Sequence, residues 1–562
     1  MRRMEAALSD LVRTLLSKRG IEKESDVESF LHPQYEAHTH SPFLLQGMDR
    51  AVERLLGAMA ADERIAVYAD FDCDGIPGAA LLSDLFGKIG YENFEVYLPH
   101  RDREGYGFHT GAIEELASQG VSLIITVDVG TVARDAVAFA NKKKIDVIVT
   151  DHHDITGELP AAFALLNPKR APYPFPHLCG AAVAFKLAQA TLIEGRKRGL
   201  ARFSAVPGGW EKWLLDMVAL ATVADMVALV GENRVLVQYG LKVLRRSQRP
   251  GIDALCNKLR LRKSELTEDD IGFSIAPRVN AASRMDSPQL ALRLLTTRDK
   301  DDAEALAAQL EKLNTSRKSA VARMVKQAKA HARQRFTGED RVVVLGDPEW
   351  KPALLGLAAN SLMNDRGGVV CLWGRDATGR IKGSCRSDGV VSLTELFTKA
   401  GDVFEEAGGH SASGGFTVSH ERVHALPEAL CAAASNLPAR AEAVSAREYD
   451  ALIGLSQVAS SLFADVSRLA PYGAGNPKPL FLVGNIIFTT VSRFGKEKNH
   501  IELQLECRES GTRCRAYDFF RAPEDFTHTP RQGSEARVVA TIERDSFRGG
   551  FALRIVDIVA PA

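Results

Sequence analysis

The sequence predicts an α/β protein: a parallel sheet joined by a long helix to a second α/β region, followed by an all-β barrel. Three observations carry this. The runs "RIAVYAD" (64–70), "VSLIITVDVG" (121–130) and "IDVIVTDHHD" (145–154) are apolar across both faces and alternate with helical patterns. Such runs suit parallel strands covered on both sides. Between about 290 and 335, Leu306, Leu310, Leu313, Ala320 and Met324 recur at three- and four-residue steps among many charges, the spacing of one long helix. Finally, "HIELQLEC" alternates cleanly near the C-terminal end, and "RCRAYDFF", "EARVVATIER" and "GGFALRIVDIV" follow it with turn signals between them.

Taken in order, residues 1–45 form a helical segment, with the amphipathic "MRRMEAALSDLVRTLL" lacking the apolar core of a signal peptide. The first α/β domain spans 46–250, with "GAALLSDLFGKIG" and "TVARDAVAFANKKK" as helices between its strands, the βαβ pattern of a doubly wound sheet. A helical connector covers 251–335, its apolar stripe interrupted by Arg317. A glycine-rich α/β domain follows at 336–445, then a barrel of about five strands at 446–562, of the oligonucleotide-binding type.

Composition sets the outer limits. The 562 residues are 45% hydrophobic and 25% charged, with a formal net charge of zero, ordinary for a globular chain. Zero net charge neither supports nor excludes a nucleic-acid partner, because basic residues can cluster locally. No stretch is long and apolar enough to span a bilayer. Eight cysteines include no CxxC pair, which argues against structural zinc and disulfides and for a cytoplasmic protein.

The most informative stretch is "DFDCDG", where Asp70, Asp72 and Asp74 follow an apolar strand. Asp128 ends the second run, and Asp151, His152, His153 and Asp154 end the third. Taken singly, an aspartate at a strand end is more often a helix cap or turn residue. Three successive strand ends change the balance, because ligands of open parallel sheets bind beyond those ends. Clustered carboxylates persist only if some are protonated or a cation compensates them. A hard divalent ion is the economical explanation, and imidazole among the oxygens favours Mn2+ over Ca2+.

At this point "DFDCDG", "VDVG", "TDHH" and "ATVADMV" resemble motifs one to four of the DHH phosphoesterase superfamily. The chain as a whole resembles the RecJ branch of that superfamily, bacterial single-strand-specific 5′→3′ DNA exonucleases. "PHRDREGYGF", "PYPFPHLCGAAVAFKLA" and "APRVNAASRMDSP" are similar to later segments of the catalytic region. "KGSCRS" and "AGGHSASGGF" resemble the accessory DHHA1 domain, and "PYGAGNPKPLF" the start of the family's OB domain. Their order spans about 480 residues.

The resemblance implies two Mn2+ or Mg2+ ions and phosphodiester hydrolysis releasing nucleotide 5′-monophosphates, in DNA repair and recombination. One ion would take Asp74, Asp128, His152 and Asp225; the other Asp72 and Asp128, with Asp70 and water. Asp128 is the expected bridge, since a carboxylate has two oxygens to share. His153 is expected to face the scissile phosphate, and Asp151 to orient an imidazole. Arg278, Asn280 and Arg284 match residues near that phosphate, though arginines alone read as surface ion pairs. Arg101, Tyr106, Ser384 and Arg386 match positions that hold a terminal 5′ phosphate, for which arginine's planar fork is suited. His410, after Gly408 and Gly409, belongs to a stretch where backbone amides could approach an anion.

The sequence also departs from the family. Tyr68 stands where several DHH families place a histidine ligand, so the second ion is expected to lean on Asp70 and water. Lys351, Ala353 and Ser361 replace a histidine, a glycine and an arginine in "WKPALLGLAANSL". In the tail, Phe494, Tyr517, Phe519 and Phe547 sit among Arg493, Arg513, Arg515 and Arg548. Stacking rings with cationic flanks suit single strands; ring by ring, burial in the barrel is the plainer expectation, which leaves the arginines as the better signal. The expected partner is single-stranded DNA, with a helicase and a single-strand-binding protein as candidates, and the chain is expected to be monomeric. Two other readings stay open: a phosphoesterase for short oligonucleotides, cyclic dinucleotides or pyrophosphate, and a silent nucleic-acid-binding scaffold.

Overall fold

The computed structural model describes residues 8–336, 340–437, 449–495, 497–545 and 548–561. The chain divides into two compact units: His40–Val227 with Leu236–Ala443, and Met1–Thr39 with Ala228–Val235 and Val444–Ala562.

In the larger unit, strands β1 (Arg64–Ala69), β2 (Phe94–Tyr97), β3 (Val121–Val127), β4 (Asp146–Thr150) and β5 (Ala164–Leu166) form one sheet in the order β2-β1-β3-β4-β5. Every pairing is parallel. β1, β3 and β4 are the three runs read from sequence. β2 and β5 are four and three residues long, too short to show a period. On one face, Ala66, Tyr68, Ile124, Val147 and Val149 pack against Ile113, Leu116, Val137 and Ala140 from covering helices. The strand order reverses between β1 and β3, where parallel sheets open a crevice at their carboxyl ends.

The segment read as one helix from about 290 is two. Gln289–Thr296 ends, and a 36-residue helix, Lys300–Arg335, begins behind it. Asp299 caps the new helix by accepting the Asp302 N–H at 2.7 Å, a local signal that outweighs the continuous stripe. Ala303, Leu306, Ala307, Leu310, Met324 and Ala328 are buried on it.

Strands β6 (Val342–Gly346), β7 (Val369–Arg375), β8 (Ile381–Ser387), β9 (Glu406–Gly409) and β10 (Ser413–Val418) make a second sheet, ordered β6-β7-β8-β10-β9. It is parallel between β6 and β7 and antiparallel elsewhere. Alternation divides it cleanly. Val342, Val344, Cys371 and Cys385 face one core. Val343, Leu345, Val370 and Leu372 face the helix Pro352–Arg366 together with Met324 and Ala328 of the long helix.

In the smaller unit, β11 (Ala451–Ile453), β12 (Phe481–Phe494), β13 (His500–Cys507), β14 (Arg513–Asp518), β15 (Glu535–Arg544) and β16 (Phe551–Val559) are ordered β11-β12-β13-β14-β16-β15. Pairing of β12 with β15 closes five of these strands into a barrel, which removes the open edges. Val12, Leu15, Leu16 and Leu31 of the N-terminal helices share its core.

The barrel reverses one sequence expectation. Phe494, Tyr517 and Phe519 are not core residues but form a cluster on the outer face with His500 and Phe520, and Phe520 is 77% exposed. The arginines are the neutralised partners: Arg493 pairs with Glu524, Arg513 with Glu506, Arg515 with Glu502 and Asp545, and Arg548 with Glu502. Phe547 lies outside the described residues.

Candidate metal centre and phosphate cleft

β1 ends at Ala69 and the chain turns at once into the helix Gly75–Lys88. The turn needs glycine at its end, because a Cβ on Gly75 would stand 2.3 Å from the Asp70 carbonyl oxygen. Asp72 Oδ1 accepts the N–H groups of Asp74 at 2.8 Å and Gly75 at 3.2 Å. Asp74 is held from the opposite side: its oxygens accept the N–H of Gly180 at 2.6 Å and of Ala181 at 2.7 Å. These amides begin the helix Gly180–Lys197, whose N-terminus favours an anion. Gly180 lies so close to β3 that an added Cβ would be 2.5 Å from Asp128 Cβ.

Asp128 follows β3 with φ of 61°, a left-handed backbone that a non-glycine residue adopts at a cost. From β4, His152 Nε2 lies 3.2 Å from Asp128 Oδ1, 3.7 Å from Asp74 Oδ2 and 3.6 Å from Asp225 Oδ2. Asp225 caps the C-terminal end of the helix Leu215–Ala224. Potential ligand atoms fall into two sets, each with its members within 4.8 Å of one another: Asp74, His152 and Asp225, and Asp70, Asp72 and Asp128. Asp128 also groups with His152 and His153.

His153 Nδ1 meets Asp151 Oδ1 at 2.7 Å, and the Tyr106 hydroxyl is 3.3 Å from the ring. Asp151 is fixed in turn by the Thr131 N–H at 2.8 Å. Asn167 Nδ2 bonds both Thr131 Oγ1 and the His153 carbonyl. Burial opposes a charged His153, but the Asp151 hydrogen bond and field outweigh it and raise the imidazole to about 9. His152 is pushed the other way, to about 4, by burial and by the charge of His153. One imidazole is thus neutral with a lone pair to offer, and its neighbour is a cation.

The acids repel. Burial, and then Asp72, lift Asp74 to about 6; burial, then Asp74 and Asp72, lift Asp225 to about 8. Asp70 and Asp128 are driven well above the usual carboxylate range by burial and by neighbouring carboxylates. Asp70 Oδ1 and Asp128 Oδ1 are buried with no hydrogen-bond partner among the described residues. Orphaned carboxylate oxygens that face one another and a neutral imidazole fit divalent cations. Tyr68 adds no ligand: it is fully buried, donates its hydroxyl to the Gly107 carbonyl at 2.8 Å, and stacks on Tyr97.

Beside the acids lies a cleft of about 730 Å3, lined among others by Arg101, Tyr106, Ser384 and Gly408. Lys382, Ser384 and Arg386 alternate along β8 and are the half-buried side chains there. The Arg101 guanidinium lies over the Phe71 ring. Arg284 donates to the Ala353 carbonyl at 2.7 Å. Burial, then the charge of Arg101, with a smaller share from Arg386, lowers Arg284 to about 9. Arg101 and Arg386 thus both reach Arg284, a gathering of guanidiniums that would suit an anion.

Residues 64–222 match the DHH family, N-terminal domain; 339–436 match the DHHA1 domain; and 449–556 match the RecJ OB domain. The chain is 33% identical over 429 residues to the single-stranded-DNA-specific exonuclease RecJ of Dickeya dadantii, covering 74% of this chain and 73% of that protein. The chain belongs to the RecJ family. It is also 33% identical over 510 residues to the Bacillus subtilis RecJ, covering 90% of this chain and 63% of that longer protein. Among solved structures, RecJ of Thermus thermophilus in complex with Mn2+ matches with a TM-score of 0.80 at 26% identity, covering 98% of this chain and 76% of that one.

Against this RecJ framework, two expected site residues, Arg278 and His410, lie outside the groups of potential metal ligands. Arg278 Nε binds Glu311 at 2.8 Å and its Nη1 binds the Ser274 carbonyl. It braces its helix against the long helix, as expected for a residue two positions, roughly half a turn, from Asn280 on the same helix. Asn280 does join the centre, accepting the Cys73 N–H at 2.9 Å. His410 is exposed and 3.6 Å from Asp154, and its N–H is spent on the Ser413 carbonyl within the β9–β10 hairpin. That one backbone amide is therefore already paired within the hairpin. Sequence reading missed Gly180, Ala181, Thr131 and Asn167. It also missed the ion pair of Lys351 with Asp102 at 3.0 Å. Asn167 follows the three-residue β5, which gave no sign that a strand ends there.

Proposed function

We propose that this chain is a metal-dependent exonuclease that removes nucleotide 5′-monophosphates from the 5′ end of single-stranded DNA, as a cytoplasmic monomer in DNA repair and recombination. The observation that carries the reading is Asp128 Oδ1, buried and without a hydrogen-bond partner among the described residues, on a residue that groups both with Asp70 and Asp72 and with His152 and His153. Asp74, Asp128, His152 and Asp225 would hold one Mn2+ or Mg2+ ion, and Asp70, Asp72 and Asp128 the other. When bound, such a pair activates water and neutralises charge on the attacked phosphate.

The chain's own groups do the rest. Neutral His152 keeps its lone pair available. His153, cationic and aimed by Asp151, donates to a phosphate oxygen, with the Tyr106 hydroxyl beside it. Asn280, its oxygen held by Cys73, offers an N–H pair from the other side. Arg101, Ser384 and Arg386 grip a terminal phosphate, and Arg284 balances charge between that phosphate and the acids. A terminal grip beside the cleavage point restricts removal to one end.

The test is incubation of end-labelled single strands with Mn2+, comparing the parent with Asp128→Ala. Mononucleotides should leave from the 5′ end, and the variant should lose at least about a thousandfold in rate, the order that several kcal/mol of metal assistance implies. Release from the 3′ end, cleavage of dinucleotides or pyrophosphate alone, or near-normal turnover by the variant would each overturn the reading.

A further inference from the structure

Away from the cleft, the exposed side of the long helix and the helix Pro352–Arg366 enclose a groove of about 780 Å3. Its floor is apolar, from Val321, Val325 and Leu357. Its rim is cationic: Arg317, Lys318, Lys326, Lys329 and Arg333 all line it. From Lys318 to Arg333 the helix rises about 22 Å, enough for several phosphates in a row. Lys329 pairs with Asp365 at 2.6 Å, and Arg317 bonds Asn314. Lys318, Lys326 and Arg333 have no ion-pair partner among the described residues.

Position gives the groove a direction. Arg317 lies within the electrostatic reach of Arg284, the residue that also feels Asp72 and Arg386 at the cleft. The field of Arg278 reaches both Arg317 and Lys318. Glu311, paired with Arg278, is the acid whose field also reaches Lys318; the residues lining the groove itself include no acid. Ser361, where the family pattern has an arginine, leaves the opposite wall short. A flexible polyanion with apolar parts suits such a surface, since phosphates meet the rim while sugars and bases cover Val321, Val325 and Leu357. An acidic peptide shares the charge but gives no reason for the rim to run on from the cleft.

We propose that this groove carries the phosphate backbone of the single-stranded substrate outside the catalytic cleft, with Lys318, Lys326 and Arg333 as its phosphate contacts. The proposal rests on the nuclease reading for its choice of ligand, but its test does not depend on hydrolysis. The triple variant Lys318→Gln, Lys326→Gln, Arg333→Gln alters exposed positions of one helix and keeps good helix formers. Binding of a fluorescent strand of roughly 20 nucleotides is read in EDTA across a salt series. Three lost contacts should flatten the slope of log K against log salt by about 2, at about 0.7 per phosphate on a single strand. Cleavage of a 5′-phosphorylated dinucleotide with Mn2+ should stay at the parent level. The variant Lys318→Arg, Lys326→Arg should retain the parent slope. An unchanged slope in the triple variant overturns the proposal. So does an equal loss on the dinucleotide, or binding of a labelled Glu/Leu peptide that the variant loses while its DNA binding is intact. A parent that binds with the expected slope yet cleaves nothing would sink the nuclease reading and leave the groove standing.

Discussion

Arg386 has lost much of its water, which lowers its pKa, and among the described residues it has no carboxylate partner. Its Nη1 donates only to the Cys385 carbonyl. Gly356 leaves it room: a Cβ there would be 2.7 Å from Nη2. A half-buried guanidinium without a carboxylate partner among the described residues would suit a ligand of opposite charge. Arg386→Ala should therefore reduce the preference for 5′-phosphorylated over 5′-hydroxyl strands by about ten- to a hundredfold, the range for hydrogen bonds to charged groups. The ratio of kcat/KM on the two substrates measures this, and an unchanged ratio removes Arg386 from the pocket. At this scale the sequence was a good guide to acids and a poor one to their partners. Asp70, Asp72, Asp74, Asp128, His152 and Asp225 were visible as types at strand ends or in motifs. That Asp74 leans on the amides of residues about a hundred positions later, or that Arg278 turns to Glu311, depends on packing that no local pattern encodes.

Elements were legible in proportion to their length. β13 follows the alternation of its residues and β3 the unbroken apolar run of a strand covered on both faces, whereas β2 and β5 are too short to show either pattern. The long helix shows the limit from the other side. Its apolar stripe runs on across a real break, and the break is marked only by Asp299 accepting the Asp302 N–H. Asp299→Ala should destabilise the protein by about 1 kcal/mol, read as a shift of the urea midpoint at constant m, because one helix N-terminus loses its capping acceptor. A variant with the parent midpoint would show that the helix start is fixed by packing instead. The barrel teaches a related lesson. Its ring residues alternate with Cys514, Ala516 and Asp518, which are buried, so the period-two pattern itself places Tyr517 outside. Residue hydrophobicity pointed inward and the register overruled it.

As a whole, the molecule consists of two compact units with separate cores, and the metal-binding candidates among the described residues lie in the larger one. Calorimetry should accordingly resolve two transitions. Mn2+ at about a hundred times its dissociation constant should add about 2.7 kcal/mol to the stability of the larger unit and leave the other transition where it was. A single transition, or equal displacement of both, would show that the units unfold together. Domain order and class were readable from sequence because each region has its own periodicity. The membership of the N-terminal helices in the barrel's core was not, since Val12, Leu15 and Leu16 meet partners more than four hundred residues away.

The clasp on Asp74 has an outcome of its own. Because two main-chain amides grip that acid, its place is decided by the meeting of a turn and a helix end, not by any cation. A molecule starved of manganese and magnesium would keep its coordination geometry half drawn, like a socket cut before the plug arrives. Ions could then enter and leave during the life of one folded chain, and supply of metal, not refolding, would decide when it works.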